Sequence, residues 1–376
     1  MNDIPFRSSA TRSLGIELEL QLINLADGHL SDKSLEIISL CNDDPHIKKE
    51  LTLSTIELNS SVHDSPFPLY EEINALARKV ATIAKEKQCG LCGGGRHFSN
   101  IWKNQTITPT KRYAELHQQQ GFLAKLSCVF GQHIHVGVGS GDEAIYLCHA
   151  LIPYLPHFIA LSASSPYYQS EDTGFASSRF SALNSFHTFG LIERDIDNWE
   201  KFIGYVEECT ELEVIHSQKD IYWEVRPKPE LGTIEIRVCD TPLTLFHAAM
   251  LGGYAQLLVK YLLKNRVSGA QARNAVTQTN AFQAQRYGFE AQYIDITKRV
   301  RIPLSAHIQH MFDTLENGAN IEDRKVLSYL SAYVKQGIND ATRLREKVQS
   351  GMSEVEVARD LMEMLLPSAH ITHSPS

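Results

Sequence analysis

Glu17 and Glu19 stand two residues apart in Leu14-Gly15-Ile16-Glu17-Leu18-Glu19-Leu20-Gln21-Leu22, where apolar and polar residues alternate. Successive side chains of a strand point to opposite faces. Ile16, Leu18, Leu20 and Leu22 therefore line one face, and Glu17, Glu19 and Gln21 the other. Two carboxylates so placed repel each other unless a cation or water lies between them. The pattern returns at Thr233-Ile234-Glu235-Ile236-Arg237-Val238, which pairs Glu235 with Arg237. Ser54–Ser60 sets Glu57 opposite Ile56 and Leu58, Gln132–Val138 sets His133 beside His135, and Tyr222–Arg226 adds Glu224 and Arg226.

Carboxylates with an imidazole suit Mg²⁺ or Mn²⁺, hard cations that take oxygen ligands and often share them with substrate phosphates. Arginines among the acids would grip phosphate oxygens bidentately and steady charge on a transferring phosphoryl group. A solvated face with charge pairs is the plainer reading of any one such strand. Its recurrence on several strands with few Lys and Ser residues favours the site. Of the two histidines, one is expected to bind metal and the other to support it by hydrogen bonding. Arg179 lies in the polar stretch Ser165–Asn184, read as a long functional loop, where it could capture a substrate carboxylate or simply sit on the surface. Cys89 and Cys92 have zinc or redox spacing but no second pair, so they read as structural thiols. Gly93-Gly94-Gly95 could cradle an anion but lacks a P-loop ending, and a plain turn is at least as good a reading.

The elements that must carry these residues follow from periodicity. The strands above are expected to form a sheet, with an antiparallel hairpin at the turn Pro227–Gly232. Helices are expected from the opening Ser65-Pro66-Phe67-Pro68 to about Lys87, Thr110 to about Leu126, Asp142 to Ser162 with a proline kink, Leu243 to Leu263, Asn274 to Tyr287, Asp323 to Gln336 and Ser353 to Leu366. Cys89 to Asn104 reads as a loop and the tail from Pro367 as frayed. The chain has 376 residues, 43% of them hydrophobic, a net charge of −8 and a pI near 6.1, which suits an enzyme-sized globular protein and not a general nucleic-acid binder. No stretch reads as a membrane span or a signal peptide. Seven irregularly spaced cysteines point to a reducing cytoplasm without a disulfide framework.

Six segments occur together in order: Gly15–Leu20, Ile56–Asn59, Gly131–Gly137, Ser162–Pro166 with Asp172–Phe175, Trp223–Pro229 and Gly232–Arg237. In these the chain resembles the type 2 glutamate–cysteine ligase family, specifically bacterial carboxylate–amine ligases with weak glutamate–cysteine ligase activity. The resemblance runs from about Leu14 to Ala341. It implies an α+β, glutamine-synthetase-like catalytic fold, with a curved antiparallel sheet forming a funnel backed by helices. It implies a single catalytic domain over 1–376, with a sheet-and-helix core at about 12–265 and a mainly helical part at about 266–368. ATP and Mg²⁺ or Mn²⁺ would be used to convert a glutamate side-chain carboxylate into an acyl phosphate, from which cysteine or another amine displaces phosphate. By motif, Glu17, Glu19, Glu57, His135 and Glu235 would be metal ligands or near-ligands, with Glu50 a weaker candidate. Glu235 and Arg237 would be catalytic, Arg237 on the transferring phosphate, Arg226 would contact the nucleotide and Arg179 the substrate. A homodimer is suggested by the resemblance alone. The alternative is a nucleotide- or amino-acid-binding protein of the same fold with little turnover.

Two departures stand out. Leu18 replaces an acid common in the first motif but points to the apolar face. Arg96-His97-Phe98-Ser99 follows the glycines where the family often has His-Pro-Phe.

Overall fold

The alternating segment at the N-terminus becomes the central strand β1, Leu14–Asn24. A computed structural model describes residues 4–9, 13–266 and 274–367. The expected boundaries at 12 and 368, and the tail beyond 367, lie outside them. One edge of β1 pairs with β3 (Thr55–Asn59), which in turn pairs with β2 (Ile47–Lys49). The other edge pairs first with β5 (Gly131–Gly137) and then, along Gln21–Asn24, with β4 (Cys89–Cys92). Two small ladders follow: β6 (Tyr167–Tyr168) with β7 (Glu171–Asp172), and β8 (Phe189–Gly190) with β9 (Tyr222–Trp223). The expected hairpin forms from β10 (Val225–Lys228) and β11 (Thr233–Asp240), completing a seven-stranded antiparallel sheet ordered β10-β11-β5-β1-β3-β2 with β4 off that path. Strands β12 (Gln292–Asp295) and β13 (Val300–Pro303) form a separate hairpin.

Leu14, Ile16, Leu18, Leu20, Ile56, Leu58, Ile134, Val136, Ile234 and Ile236 are all buried in one core. Helix Leu245–Asn265 covers β1 and β5, and helix Pro66–Glu86 lies against it and reaches β3 and β4. Gly253 lets them close: a Cβ there would fall 2.9 Å from the Pro66 ring and 3.0 Å from Val326. The apolar half of each alternating strand is thus consumed by helices, and the polar half is left to build a site.

Several expectations need correction. Cys89–Cys92 is a strand, its backbone paired with β1. The helix expected at 110–126 breaks at Gly121, with φ 57, into Lys111–Gln120 and Phe122–Leu126. The expected kink at 142–162 is a full break: helix Gly141–Ala150 and the stretch Ile152–Ser162, a short turn leading into helix Leu155–Ser162, meet at 43°. Pro153 and Pro156 lack the N–H groups that a continuous helix needs there. The C-terminal part holds the β12–β13 hairpin as well as helices. Helices Trp199–Glu211, Leu304–Glu316 and Asp340–Gln349 were not anticipated; Asn198 and Asn339 cap two of them. The strand expected at Tyr222–Arg226 is interrupted at Glu224, whose carboxyl burial pushes up to about 8. Among the described residues no single helix is long and apolar enough to cross a membrane. All seven cysteines are free thiols.

A chain of rings crosses the helical layer. His157 Nδ1 meets the Tyr254 hydroxyl at 2.7 Å, and His157 Nε2 meets His307 Nδ1 at 2.7 Å. Burial holds His307 down at about 4 and His157 well below its usual value. Both histidines must take up protons on unfolding in acid, so stability should fall as pH drops from about 6.5, the unfolded value, through 4. His307 alone accounts for about 3 kcal/mol of that fall. Urea midpoints at pH 6.5 and 4 should differ less in His307→Gln than in the wild type; equal differences would show that the ring is not held neutral.

Candidate active site

Strand register explains why the polar residues converge. Residues directly opposite in an antiparallel pair share a face. Glu17 lies opposite His133, Glu19 opposite Glu57, Glu235 opposite His135, and Arg226 opposite Glu235. The β5–β11 register shifts between Ile236 and Cys239, a bulge of the kind that re-aims a side chain beside a site, here Arg237. These faces open into a cavity of about 330 Å³. Glu17, Glu19, Glu50 and Glu57 form its acidic wall, and Arg112, Arg179, Arg226, Arg237, Lys219 and Lys228 supply positive charge. Leu116, Val129, Leu183, Phe186, Phe189 and Tyr222 give it an apolar side.

The acidic wall is electrostatically expensive. Burial, then Glu50, Glu17 and Glu19, push the Glu57 carboxyl well above its usual range. Burial likewise raises Glu19 and Glu50. For Glu17 burial is outweighed by hydrogen bonding to His133 and His135, which holds it low. Donor atoms gather in two groups, Glu17–His133–Glu235 and Glu19–Glu57–His133, each with its atoms within 4.8 Å of one another. His133 belongs to both. Its Nδ1 lies 3.0 Å from Glu17 Oε2, and its buried Nε2 has no hydrogen-bond partner. The residues present fit a divalent cation: carboxylates raised by crowding, an orphaned imidazole nitrogen, and an oxygen-rich donor set. His135 is in neither group; its Nε2, also buried without a hydrogen-bond partner, sits 3.3 Å from Glu17 Oε1, and its Nδ1 lies 3.0 Å from Thr233 Oγ1.

Glu235 is fully buried between two guanidiniums. Arg226 Nε donates to Oε2 at 2.7 Å and Nη2 to Oε1 at 3.3 Å, while Arg237 Nη1 pairs with Oε1. Burial pushes this carboxyl up, but Arg226 and Arg237 outweigh it and hold it well below the usual range. Arg226 is locked further by the Ile221 carbonyl at 2.8 Å. Arg237 makes its contacts through Nη1, with no partner for Nε or Nη2 among the described residues. Glu235 thus aims two cations before it could serve as a metal ligand.

Arg179 is not on an exposed loop. It is 3% exposed, donates to the Arg237 carbonyl at 3.2 Å, and packs so close to Gly131 that a Cβ there would lie 2.1 Å from its Nη2. Asp240, at the end of β11, fixes the segment that bears it. Asp240 accepts from Ser164 N at 3.0 Å, Ser165 Oγ at 2.7 Å and Ser177 Oγ at 2.8 Å, and Ser165 Oγ accepts from the amides of Ser178 and Arg179. Gly95 packs on Asp240, where a Cβ would fall 2.4 Å from Cγ, so this glycine serves close packing. Arg96 of the same loop lies 4.6 Å over the Tyr168 ring. Asp240→Asn should cost about 2–4 kcal/mol, because an amide donor then faces donors, and should loosen Arg179. Urea unfolding checks the first part; an unchanged midpoint would remove Asp240 as the anchor.

Of the expected site residues, Glu17, Glu19, Glu57, Arg179, Arg226 and Arg237 line the cavity, with Glu235 beneath it. Sequence reasoning undervalued Glu50 and missed Arg112, Tyr113, Lys219 and Lys228. Tyr113 reaches Glu50 Oε2 at 3.4 Å from helix Lys111–Gln120, a long-range contact that no local pattern announces.

The sequence profile described as Glutamate-cysteine ligase family 2 matches residues 13–361. "Putative glutamate–cysteine ligase 2" of Janthinobacterium sp. (strain Marseille) is 37% identical over 361 residues, covering 95% of this chain and 97% of that protein. The protein of the same name from Bordetella avium (strain 197N) is 41% identical over 349 residues, covering 92% and 86%. In structure, glutamate–cysteine ligase of Francisella tularensis, solved in complex with AMP, superposes with a TM-score of 0.70 at 11% identity over 97% of this chain and 91% of that one. The ligase PafA, solved with the ubiquitin-like protein Pup, gives 0.53 at 12% identity over 96% and 73%. At such identities these two likenesses establish the fold: the antiparallel sheet backed by helices.

Proposed function

The chain belongs to glutamate-cysteine ligase family 2, and from that premise we propose that it is an ATP- and Mg²⁺- or Mn²⁺-dependent carboxylate–amine ligase. The observation that carries this reading is the confrontation, in one cavity, of an acid–histidine wall with Arg237 and Arg226. The reaction proposed joins the glutamate side-chain carboxylate to cysteine or another amine. A carboxylate oxygen attacks the terminal phosphorus of ATP, ADP leaves, and an acyl phosphate results. The amine nitrogen then attacks the acyl carbon, loses a proton, and phosphate departs. Phosphoryl transfer of this kind depends on positioning and charge stabilisation more than on covalent help from the protein.

Glu17, Glu19, Glu57 and His133 would hold the cation, which supplies neutralisation of phosphate charge. His135 holds Glu17 in place. Glu235 aligns Arg226 and Arg237, and the free edge of Arg237 meets the transferring phosphoryl group. Arg179, anchored through Ser165 and Asp240, presents a guanidinium to an anionic substrate group. Free, mostly buried thiols support a cytoplasmic location.

The test is a screen of purified protein with ATP, Mg²⁺, glutamate and a panel of amines that includes cysteine. ADP release should match amide formed, mole for mole, by mass spectrometry. ADP without amide but with a stable phosphorylated product would make it a kinase. Nucleotide binding without turnover of any amine would leave a binding protein.

A further inference from the structure

Helix Lys111–Gln120 borders the candidate active site with little to hold it there. Arg112, Tyr113 and Leu116 line the cavity, yet the helix has no buried residue, and neither does the whole stretch 109–123. Both flanks are fixed. Thr108 and Ala124 are fully buried, and the Thr108 amide donates to the Leu51 carbonyl at 2.9 Å. Between these anchors, two side-chain hydrogen bonds tie the helix to other described residues. The Tyr113 hydroxyl donates to Glu50 Oε2 at 3.4 Å, and Gln119 Nε2 meets His216 Nε2 at 3.0 Å in an exposed contact. Glu50 belongs to the acidic wall, and His216 lies just before Lys219 and Tyr222, which line the same cavity. The helix therefore reaches from one lining segment to another.

A rigid roof could also line a cavity. Helices in proteins, however, are held mainly by packing of an apolar face, and this helix buries none. Its C-terminal joint is Gly121, at φ +57 and ψ −132. A Cβ there would meet nothing within 4 Å, so glycine serves the backbone conformation and not a close approach. Lys111 pairs with Glu115 on the same helix. Arg112, by contrast, has no hydrogen bond or ion pair among the described residues, although it lines the cavity.

We propose that helix Lys111–Gln120 is a gate on this cavity, swinging about Gly121 and closing on an anionic ligand through Arg112. The gate takes the cavity to be the ligand site proposed above, whichever reaction follows there. A ligand shifts such an equilibrium only through contacts that differ between the open and closed states. Arg112 supplies that difference, because its guanidinium stays unpaired until phosphate or carboxylate oxygens lie within its reach. The Gln119–His216 contact latches the helix in the absence of ligand, and one exposed hydrogen bond is weak enough to release it. Opening admits substrates, and closing sequesters them from water.

Spin labels on two exposed positions, Gln118→Cys on the gate and Glu71→Cys on helix Pro66–Glu86, measure the motion by double electron–electron resonance. A Cys209→Ser background removes the one thiol that is not buried. The ligand-free protein should show two distances. Gln119→Ala should raise the ratio of open to closed about threefold, as expected for loss of one exposed hydrogen bond. Mg·ADP and glutamate, added separately, distinguish phosphate from carboxylate as the closing group: the one that engages Arg112 should leave only the closed distance. Arg112→Met should weaken the affinity of that ligand at least about tenfold by calorimetry and abolish its effect on the distances. A single distance, unchanged by Gln119→Ala and by bound ligand, would overturn the gate. Closure that persists in Arg112→Met would overturn the part given to Arg112. If neither ligand binds, the ligase reading fails, and the ligand-free distances decide the gate: two that respond to Gln119→Ala support it, and one refutes it.

Discussion

Glu235→Gln should lower turnover by about a thousandfold, in line with loss of a preorganised electrostatic group, and should also destabilise the fold. The carboxylate is fully buried and is the shared counter-ion of Arg226 and Arg237. Glutamine keeps the shape but leaves two adjacent guanidiniums without a buried negative charge, a change that typically costs about 3–5 kcal/mol. Measured on the folded fraction, the loss should fall on kcat, because Arg237 no longer holds its aim. Arg237→Lys separates the two effects. Lysine retains a charge for Glu235 and so preserves stability, but it lacks the planar fork and should still cost about a hundredfold in kcat. Near-wild-type activity in either variant would remove this pair from the chemistry.

The second large effect has opposite signs in two assays. Glu57→Gln should raise the stability of the cation-free protein while cutting Mn²⁺ affinity by at least about a hundredfold. Glu57 is raised by burial and by Glu50, Glu17 and Glu19, so removing its charge relieves the wall. The same charge is what a cation would exploit. A site that stores repulsion until its ligand arrives is a stability–function trade-off in miniature. His133→Ala should lose Mn²⁺ affinity to a similar degree, since His133 belongs to both donor groups, whereas His135→Ala should lose less. Thermal melting with and without Mn²⁺, together with a Mn²⁺ titration, reads all three variants. Glu57→Gln with unchanged Mn²⁺ affinity would refute the assignment.

What could be read from the amino-acid order alone was what strict alternation encodes. Parity along β1, β3, β5 and β11 separates Leu18 from Glu19 and Ile236 from Arg237, and the folded chain keeps that division. The hairpin β10–β11 and the long helix Leu245–Asn265 follow from turn chemistry and helical spacing in the same local way. Alternation does not encode register. His133 and His135 share a face, and only the strand pairing shows that Glu17 lies opposite His133 and Glu235 opposite His135. Cys89–Cys92 escaped notice because a four-residue buried run containing glycine has no period to detect. Glu224 kept the correct parity but lost the face, because the chain bends there. Asp240 and Tyr113 act through partners more than sixty residues away, and such contacts are written in the fold.

The most direct test follows oxygen atoms. Glutamate labelled with ¹⁸O in its side-chain carboxylate is turned over with ATP, Mg²⁺ and the best amine from the screen, and the phosphate is weighed by mass spectrometry. An acyl phosphate formed in this cavity predicts ADP as the nucleotide product and one ¹⁸O in each phosphate released. Unlabelled phosphate, or AMP with pyrophosphate, would contradict the account.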